Sequence, residues 1–291
     1  CHTLEAGLQR LDGGAMFGVV PKPLWERRIA PDARNRIPLA MRCLLIEHPD
    51  GLVLVDTGLG NKEDSRFQDI YGVENRGAEG RTGLEDALRE AGHAPADVRW
   101  VVNTHLHFDH AGGNTWVERD ADGLVRGAPR LVFPGATHVV QRRELAFARE
   151  TNERTRASYL PDNFEPVAEA GRWQLLDGPG EILPGVSARL TPGHVPHHQS
   201  ILVESDGEAL LFLADVLPTR HHLPLPWIMG YDLEPLRTLE SKRTLHQEAL
   251  ERGWWLCFEH DPEVAMGRLR AGERGPELVD PVLVPGEEAA T

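Results

Sequence analysis

Trp100-Val101-Val102-Asn103 is a short apolar run that passes without a break into Thr104-His105-Leu106-His107-Phe108-Asp109-His110. Four side chains able to ligate a metal, His105, His107, Asp109 and His110, fall within six positions. The run before them reads as a buried strand. A loop leaving a strand end can turn neighbouring side chains onto one point. Imidazole nitrogen and carboxylate oxygen suit Zn2+ and related first-row ions. One tetrahedral ion with an open position needs only three protein ligands, so this cluster nearly supplies one and leaves donors over. Three further donors follow apolar runs downstream: His194, Asp215 and His260. Seven donors, with one carboxylate shared, would serve two ions roughly 3.5–4 Å apart.

Outward from that motif the chain reads as short strands joined by tight turns. Residues 41–46 and 52–55 flank His48-Pro49-Asp50-Gly51 and predict a β-hairpin ending in Asp56-Thr57-Gly58. Residues 83–91 predict a helix stopped at Gly92. Strands are expected at 130–133 and 138–140, and a charged helix at 141–159. The stretch 142–180 is expected to be a helical and loop excursion over the site, too short for a core of its own. A strand at 186–190 precedes Thr191-Pro192-Gly193-His194, and 201–203 with 209–213 predict a second hairpin around Ser205-Asp206-Gly207. Leu236, Leu239, Leu245 and Leu250 mark an apolar stripe on a helix over 233–252, closed by Gly253. Residues 254–258 are expected to be the last strand. Residues 44–56 and 201–215 share one plan: strand, Glu, tight turn, strand, Asp. That faint repeat suggests a duplicated sandwich, with a single domain over residues 1–291.

The net charge of −14 argues against a nucleic-acid partner. No run approaches the roughly 18–20 apolar residues of a membrane span. Basic charge is almost all Arg, the only lysines being Lys22, Lys62 and Lys242. Cys1, Cys43 and Cys257 form no close pair, and no leader-like stretch opens the sequence, so a reducing cytoplasm is the expected compartment.

Residues 105–110 resemble the HxHxDH signature of the metallo-β-lactamase superfamily. Asp56-Thr57-Gly58, Thr191-Pro192-Gly193-His194, Leu213-Ala214-Asp215 and Glu259-His260 resemble its other elements in the same order. The resemblance implies an α/β fold, a four-layer αββα sandwich with the site along one edge. It implies that His105, His107 and His194 hold a first metal, that Asp109, His110 and His260 hold a second, and that Asp215 bridges them. Asp56 would be a buried group orienting the ligand loops. Where members often repeat TPGH, this chain has Val195-Pro196-His197-His198. His197, in place of Gly, is expected to be exposed or beside a ligand. Residues 13–25, with Gly60-Asn61-Lys62 and residues 152–156, resemble the quorum-quenching N-acylhomoserine lactonase and methyl parathion hydrolase-like branch. That likeness nominates Met16, Phe17 and Trp25 as pocket walls.

The implied reaction is metal-dependent hydrolysis of a lactone or related ester. A hydroxide bridging two cations would attack the carbonyl carbon, one metal stabilising the developing oxyanion. Asp109 would also shuttle a proton, and His221, His222 or Tyr231 would protonate the leaving group. Trp227, with Pro224 and Pro226, and Tyr231 would line the substrate. Zn2+ is the expected ion, with Fe, Mn and Co suited to the same donors. A phosphotriester would fit as a promiscuous substrate. The alternatives are a glyoxalase II-like thioesterase and an iron-dependent persulfide dioxygenase. The partner is a small-molecule substrate, with no membrane and no nucleic acid, and relatives suggest a homodimer.

Overall fold

A computed structural model describes residues 1–120, 123–273 and 275–284. Its strands are β1 (His2–Asp12), β2 (Arg36–Ile46), β3 (Leu52–Val55), β4 (Val98–Val102), β5 (Thr115–Arg119), β6 (Val125–Leu131), β7 (Thr137–Gln141) and β8 (Trp173–Leu176), followed by β9 (Gly180–Leu183), β10 (Val186–Leu190), β11 (Gln199–Ser205), β12 (Glu208–Phe212), β13 (Trp255–Cys257), β14 (Val264–Gly272) and β15 (Gly275–Leu283). The chain forms two compact units. One comprises Cys1–Gln9 with Met41–Asp177, the other Arg10–Ala40 with the chain from Gly178 on.

In the first unit the strands lie in the order β1-β2-β3-β4-β7-β8, with a separate β5-β6 ribbon. The predicted hairpin is β2-β3, antiparallel with Leu44 opposite Val55. β3, β4, β7 and β8 then run parallel. Parallel neighbours need a crossover, and the helix Gly83–Glu90 lies within the first of these. Thr82 and Glu85 close its N-terminus in a reciprocal capping box. Its Leu84 and Leu88 pack with Leu45, Leu54, Val98 and Val101.

The helix predicted for 141–159 covers only Arg142–Arg149. Beyond it the Asn152 side chain accepts the N–H groups of Arg154 and Thr155 at 2.8 and 3.2 Å. That local turn takes the hydrogen bonds a helix would have used. The excursion expected over 142–180 also ends in a strand, β8, paired with β7 from His138 to Gln141.

In the second unit the order is β15-β14-β13-β12-β11-β10-β9. The predicted hairpin is β11-β12. β12 and β13 are parallel, and the helix Pro235–Arg252 falls between them in sequence. Antiparallel pair then parallel neighbour is the plan of β2-β3-β4 as well, so the repeat seen in the sequence is matched in strand topology. Each hairpin is followed by a non-glycine residue with left-handed φ, Asp56 at 55° and Ala214 at 48°. β13 is not the last strand: β14 and β15 follow as a long hairpin at the sheet edge. Arg268 and Arg270 interrupt the apolar character of β14, which hides it from a search for apolar runs. β15 carries Pro276 and Pro281, its register with β14 shifts, and Asp280 has a φ of 52°.

The helix Pro235–Arg252 ends as predicted, with Gly253 left-handed and its N–H on Ala249. Its buried face differs from the leucine stripe. Thr238, Lys242, Leu245, His246 and Ala249 are buried, whereas Leu236 is 78% exposed. No helix among the described residues is long and apolar enough to cross a membrane.

Candidate metal centre

β4 delivers the HxHxDH segment, and the first unit holds its backbone from several sides. The N–H of Asn103 donates to Val139 at 2.9 Å, and that of Phe108 to Ser158 at 2.9 Å. Between His105 and His107, the N–H of Leu106 donates to the buried Glu144 carboxylate at 3.1 Å, and the Tyr159 hydroxyl donates to the same oxygen at 2.9 Å. Asp56, fully buried, takes the Thr104 N–H at 2.8 Å on Oδ1 and the Thr104 hydroxyl at 2.6 Å on Oδ2. Its Oδ2 also lies 3.0 Å from Nδ1 of His110. His105 Nδ1 lies 3.1 Å from the Thr104 hydroxyl oxygen. Asp109 receives the Gln9 side-chain amide from β1. The loop after Asp56 is pinned to the loop after His110: Lys62 donates to the carbonyls of Gly112 and Thr115, and a Cβ at Gly112 would stand 2.1 Å from the Leu59 carbonyl oxygen.

The second unit presents His194, Asp215 and His260. Asp215 reaches both imidazoles: Oδ2 lies 3.0 Å from Nε2 of His194 and Oδ1 lies 2.9 Å from Nε2 of His260. Nδ1 of His194 faces Asp232 at 3.0 Å, and Nδ1 of His260 faces the Ala40 carbonyl at 2.6 Å. Behind Asp215, its N–H donates to Nε2 of His198 at 3.2 Å, and the other nitrogen of that ring lies 2.8 Å from the Thr191 hydroxyl. Gly193 has a φ of 142°, and a Cβ there would stand 2.3 Å from the Thr238 nitrogen, so only glycine fits.

Candidate metal ligands are thus present in each unit: His105, His107, Asp109 and His110 in the first, and His194, Asp215 and His260 in the second. The donor chemistry fits a cation. Nδ1 of His105, His110, His194 and His260 each faces a protein oxygen, which fixes the proton there and leaves Nε2 as a lone-pair donor. In His194 and His260 that lone pair meets a carboxylate oxygen at about hydrogen-bond distance, and two acceptors need a positive charge at hand. Where no cation supplies that charge, a second proton on His194 does. Burial alone pushes the His194 imidazole down, but Asp215 and Asp232 outweigh it and raise it to about 10.

The profile described as the Metallo-beta-lactamase superfamily matches residues 38–253, the span that carries six of the seven expected ligands. The chain belongs to the metallo-β-lactamase superfamily. Its fold is the αβ/βα sandwich of that superfamily, with mixed sheets flanked by helices. Within the superfamily it is closely related to the quorum-quenching lactonase branch. It is 29% identical over 244 residues to the N-acyl homoserine lactonase of Bacillus cereus, covering 80% of this chain and 86% of that protein. A solved structure of a probable metal-dependent hydrolase from Staphylococcus aureus is 28% identical and superposes with a TM-score of 0.85, covering 99% of this chain and 97% of that one. AidC, a dizinc quorum-quenching lactonase, is 20% identical with a TM-score of 0.74 over 95% of this chain and 92% of its own, a likeness of fold.

The residues nominated around the superfamily's metal site fare unequally. His222 is one of three candidates, with His221 and Tyr231, for protonating a leaving group. Instead its Nε2 donates to the Met16 carbonyl at 2.8 Å, its Nδ1 lies 2.8 Å from the Thr219 hydroxyl, and its ring stacks on Phe17 at 4.8 Å. Burial pushes it down to about 3, so it is a neutral strut with no nitrogen to spare. His221 is pushed down to about 4 by burial and by Arg220, and is neutral at pH 7 as well. Met16, Phe17 and Trp25, nominated as walls, are buried in a satellite core with Ile29, Ile37 and Met229. Trp227 and Tyr231 pack at the margin of that core and stay partly exposed. His197 is half-buried. Trp25→Ala is therefore expected to cost about 3–5 kcal/mol of stability, a core-cavity effect. Urea unfolding checks this; a wild-type midpoint with an altered KM would restore Trp25 to the pocket wall.

Sequence reading missed Asp232, His198, Glu144, Tyr159 and Gln9. Only His198 carried a local signal, as the second His after the TPGH element.

Proposed function

We propose that the chain is a dinuclear metal-dependent lactonase acting on N-acylhomoserine lactone-like substrates. The observation that carries this is Asp215, whose two oxygens address one histidine each, the arrangement of a carboxylate shared by two ions. His105, His107 and His194 would hold one ion, Asp109, His110 and His260 the other. The chemistry of the donors, all nitrogen and oxygen, supports Zn2+. The related N-acyl homoserine lactonases support the substrate class.

Two such ions, when bound, polarise a carbonyl and bring the pKa of a water to roughly 7. The protein's share is to fix the donors and move protons. Asp56, Asp232 and the Ala40 carbonyl lock His110, His194 and His260 in the tautomer that donates from Nε2. Asp109, with one oxygen held by Gln9, would take the proton of the attacking water and return it to the leaving alkoxide. Trp227 and Tyr231 would face the acyl chain. A phosphotriester places its phosphorus where the lactone carbon sits, so slower paraoxon hydrolysis is part of the reading.

Elemental analysis of purified protein, with lactone-opening and paraoxonase assays before and after chelation, tests it. About two metals per chain and chelator-sensitive ring opening are expected. Two metals without lactone opening would sink the lactonase reading and direct attention to thioesters and, through oxygen consumption, to persulfides. A folded protein that binds no metal after reconstitution would overturn the reading altogether.

A further inference from the structure

The sequence contains three lysines among many arginines, and the one on the helix Pro235–Arg252 is buried where a leucine stripe was expected. Lys242 is 1% exposed. Its ammonium donates to the carbonyls of Pro224, Leu225 and Trp227 at 2.9, 3.3 and 2.9 Å. A lysine has three hydrogens to give, and three oxygens of one loop take them. Burial pushes the group down to about 7, opposed by the negative charge of Asp232. Arginine would not replace it, because a flat guanidinium cannot aim its donors at three oxygens converging on a point.

The loop so gathered leads from Pro224 to Asp232. The Trp227 N–H closes a turn on the Pro224 carbonyl at 3.0 Å, and the Trp227 ring lies edge-on to Phe17 at 5.6 Å. Asp232, at the loop's end, contacts His194 and takes the Thr238 hydroxyl at 2.7 Å. Thr238 lies one helical turn before Lys242, so one helix face grips the loop at its start and at its end.

We propose that Lys242 is a positioning residue that sets the shape of the Pro224–Asp232 loop and thereby substrate specificity. This rests on the lactonase reading above for its substrate, though not for its structural effect. Lys242→Met keeps the stem and removes the donors. Amide hydrogen exchange is expected to speed up across 224–232 and not elsewhere. Asp232 keeps its bond from Thr238 in this variant, so metal content should stay at the wild-type value and kcat within about threefold, while KM for a long-chain acyl lactone should rise on the order of tenfold, about 1.4 kcal/mol. If the wild-type protein opens no lactone, the functional reading fails, and the exchange pattern still decides the role of Lys242. Unchanged exchange over 224–232, acceleration spread evenly along the chain, or an unchanged KM in an active enzyme would overturn the proposal. Should the Met variant not fold, Lys242→Arg retains the charge, and it is expected to show the same confined acceleration in weaker form. Wild-type exchange in that variant would overturn the proposal equally.

Discussion

Asp215→Ala is expected to lower lactone opening by on the order of a thousandfold, about 4 kcal/mol of barrier, and to reduce metal content. The reason is geometric. Each Asp215 oxygen stands about 3 Å from the Nε2 of a different histidine, so one side chain serves both ligand groups. Removing it deletes a donor from each and takes away the charge that keeps His194 cation-seeking. Asp215→Asn keeps the shape but offers only one oxygen, so it should fall nearly as far. Asp232→Asn makes the graded comparison. It touches His194 through Nδ1 and not the far nitrogen, so a loss of about 10–100-fold is expected, the usual range for a residue that orients a ligand. Metal stoichiometry and kcat/KM measured on all three variants check the order. An Asp215→Ala enzyme within tenfold of wild type would remove the shared-carboxylate mechanism.

The second large effect is acid lability. His138, His222 and His246 are all buried, and burial pushes them from 6.5 down to about 4, 3 and 4. The folded chain holds these rings neutral while the unfolded chain can protonate them. As pH falls below 6.5 the unfolded state therefore binds more protons, and stability drops until the folded values are reached. At pH 5 each ring costs about 2 kcal/mol, so the three together remove about 6 kcal/mol of stability present at pH 7. Urea unfolding of chelator-treated protein at the two pH values measures this loss together with that of His221, which burial also holds low, and the opposing gain from His194. His138→Phe isolates one share, since that ring lies in β7 beside Trp173. The difference between pH 7 and pH 5 should shrink by about 2 kcal/mol in that variant. An equal difference in variant and wild type would mean that His138 is not held neutral.

The metal motif was legible in the sequence because its ligands lie close together at the ends of apolar runs. Both hairpins were legible because tight turns separate apolar stretches. The groups that orient those ligands from far along the chain were not. Asp232 orients a histidine 38 residues earlier, and Glu144 holds a backbone N–H 38 residues before it. Nothing in the immediate sequence of either marks it. The helix Pro235–Arg252 misled for a different reason. Leucine spacing reports where an apolar face could be, whereas this helix buries Thr238 and Lys242 because they bond to loops. β1 alternates imperfectly, and its most consequential residue, Gln9, is polar and buried.

β15 bears on how copies of this protein can meet. It is the outermost strand of its sheet, and an outer strand ordinarily offers a row of free amides to any other chain. Here two prolines withhold an amide each, and the backbone kinks at Asp280. Such a border resists ribbon-to-ribbon growth. Concentrated solutions should therefore stay free of fibrillar stacking through this border, and a symmetric pair of subunits would have to join through side chains rather than by extending the sheet across β15.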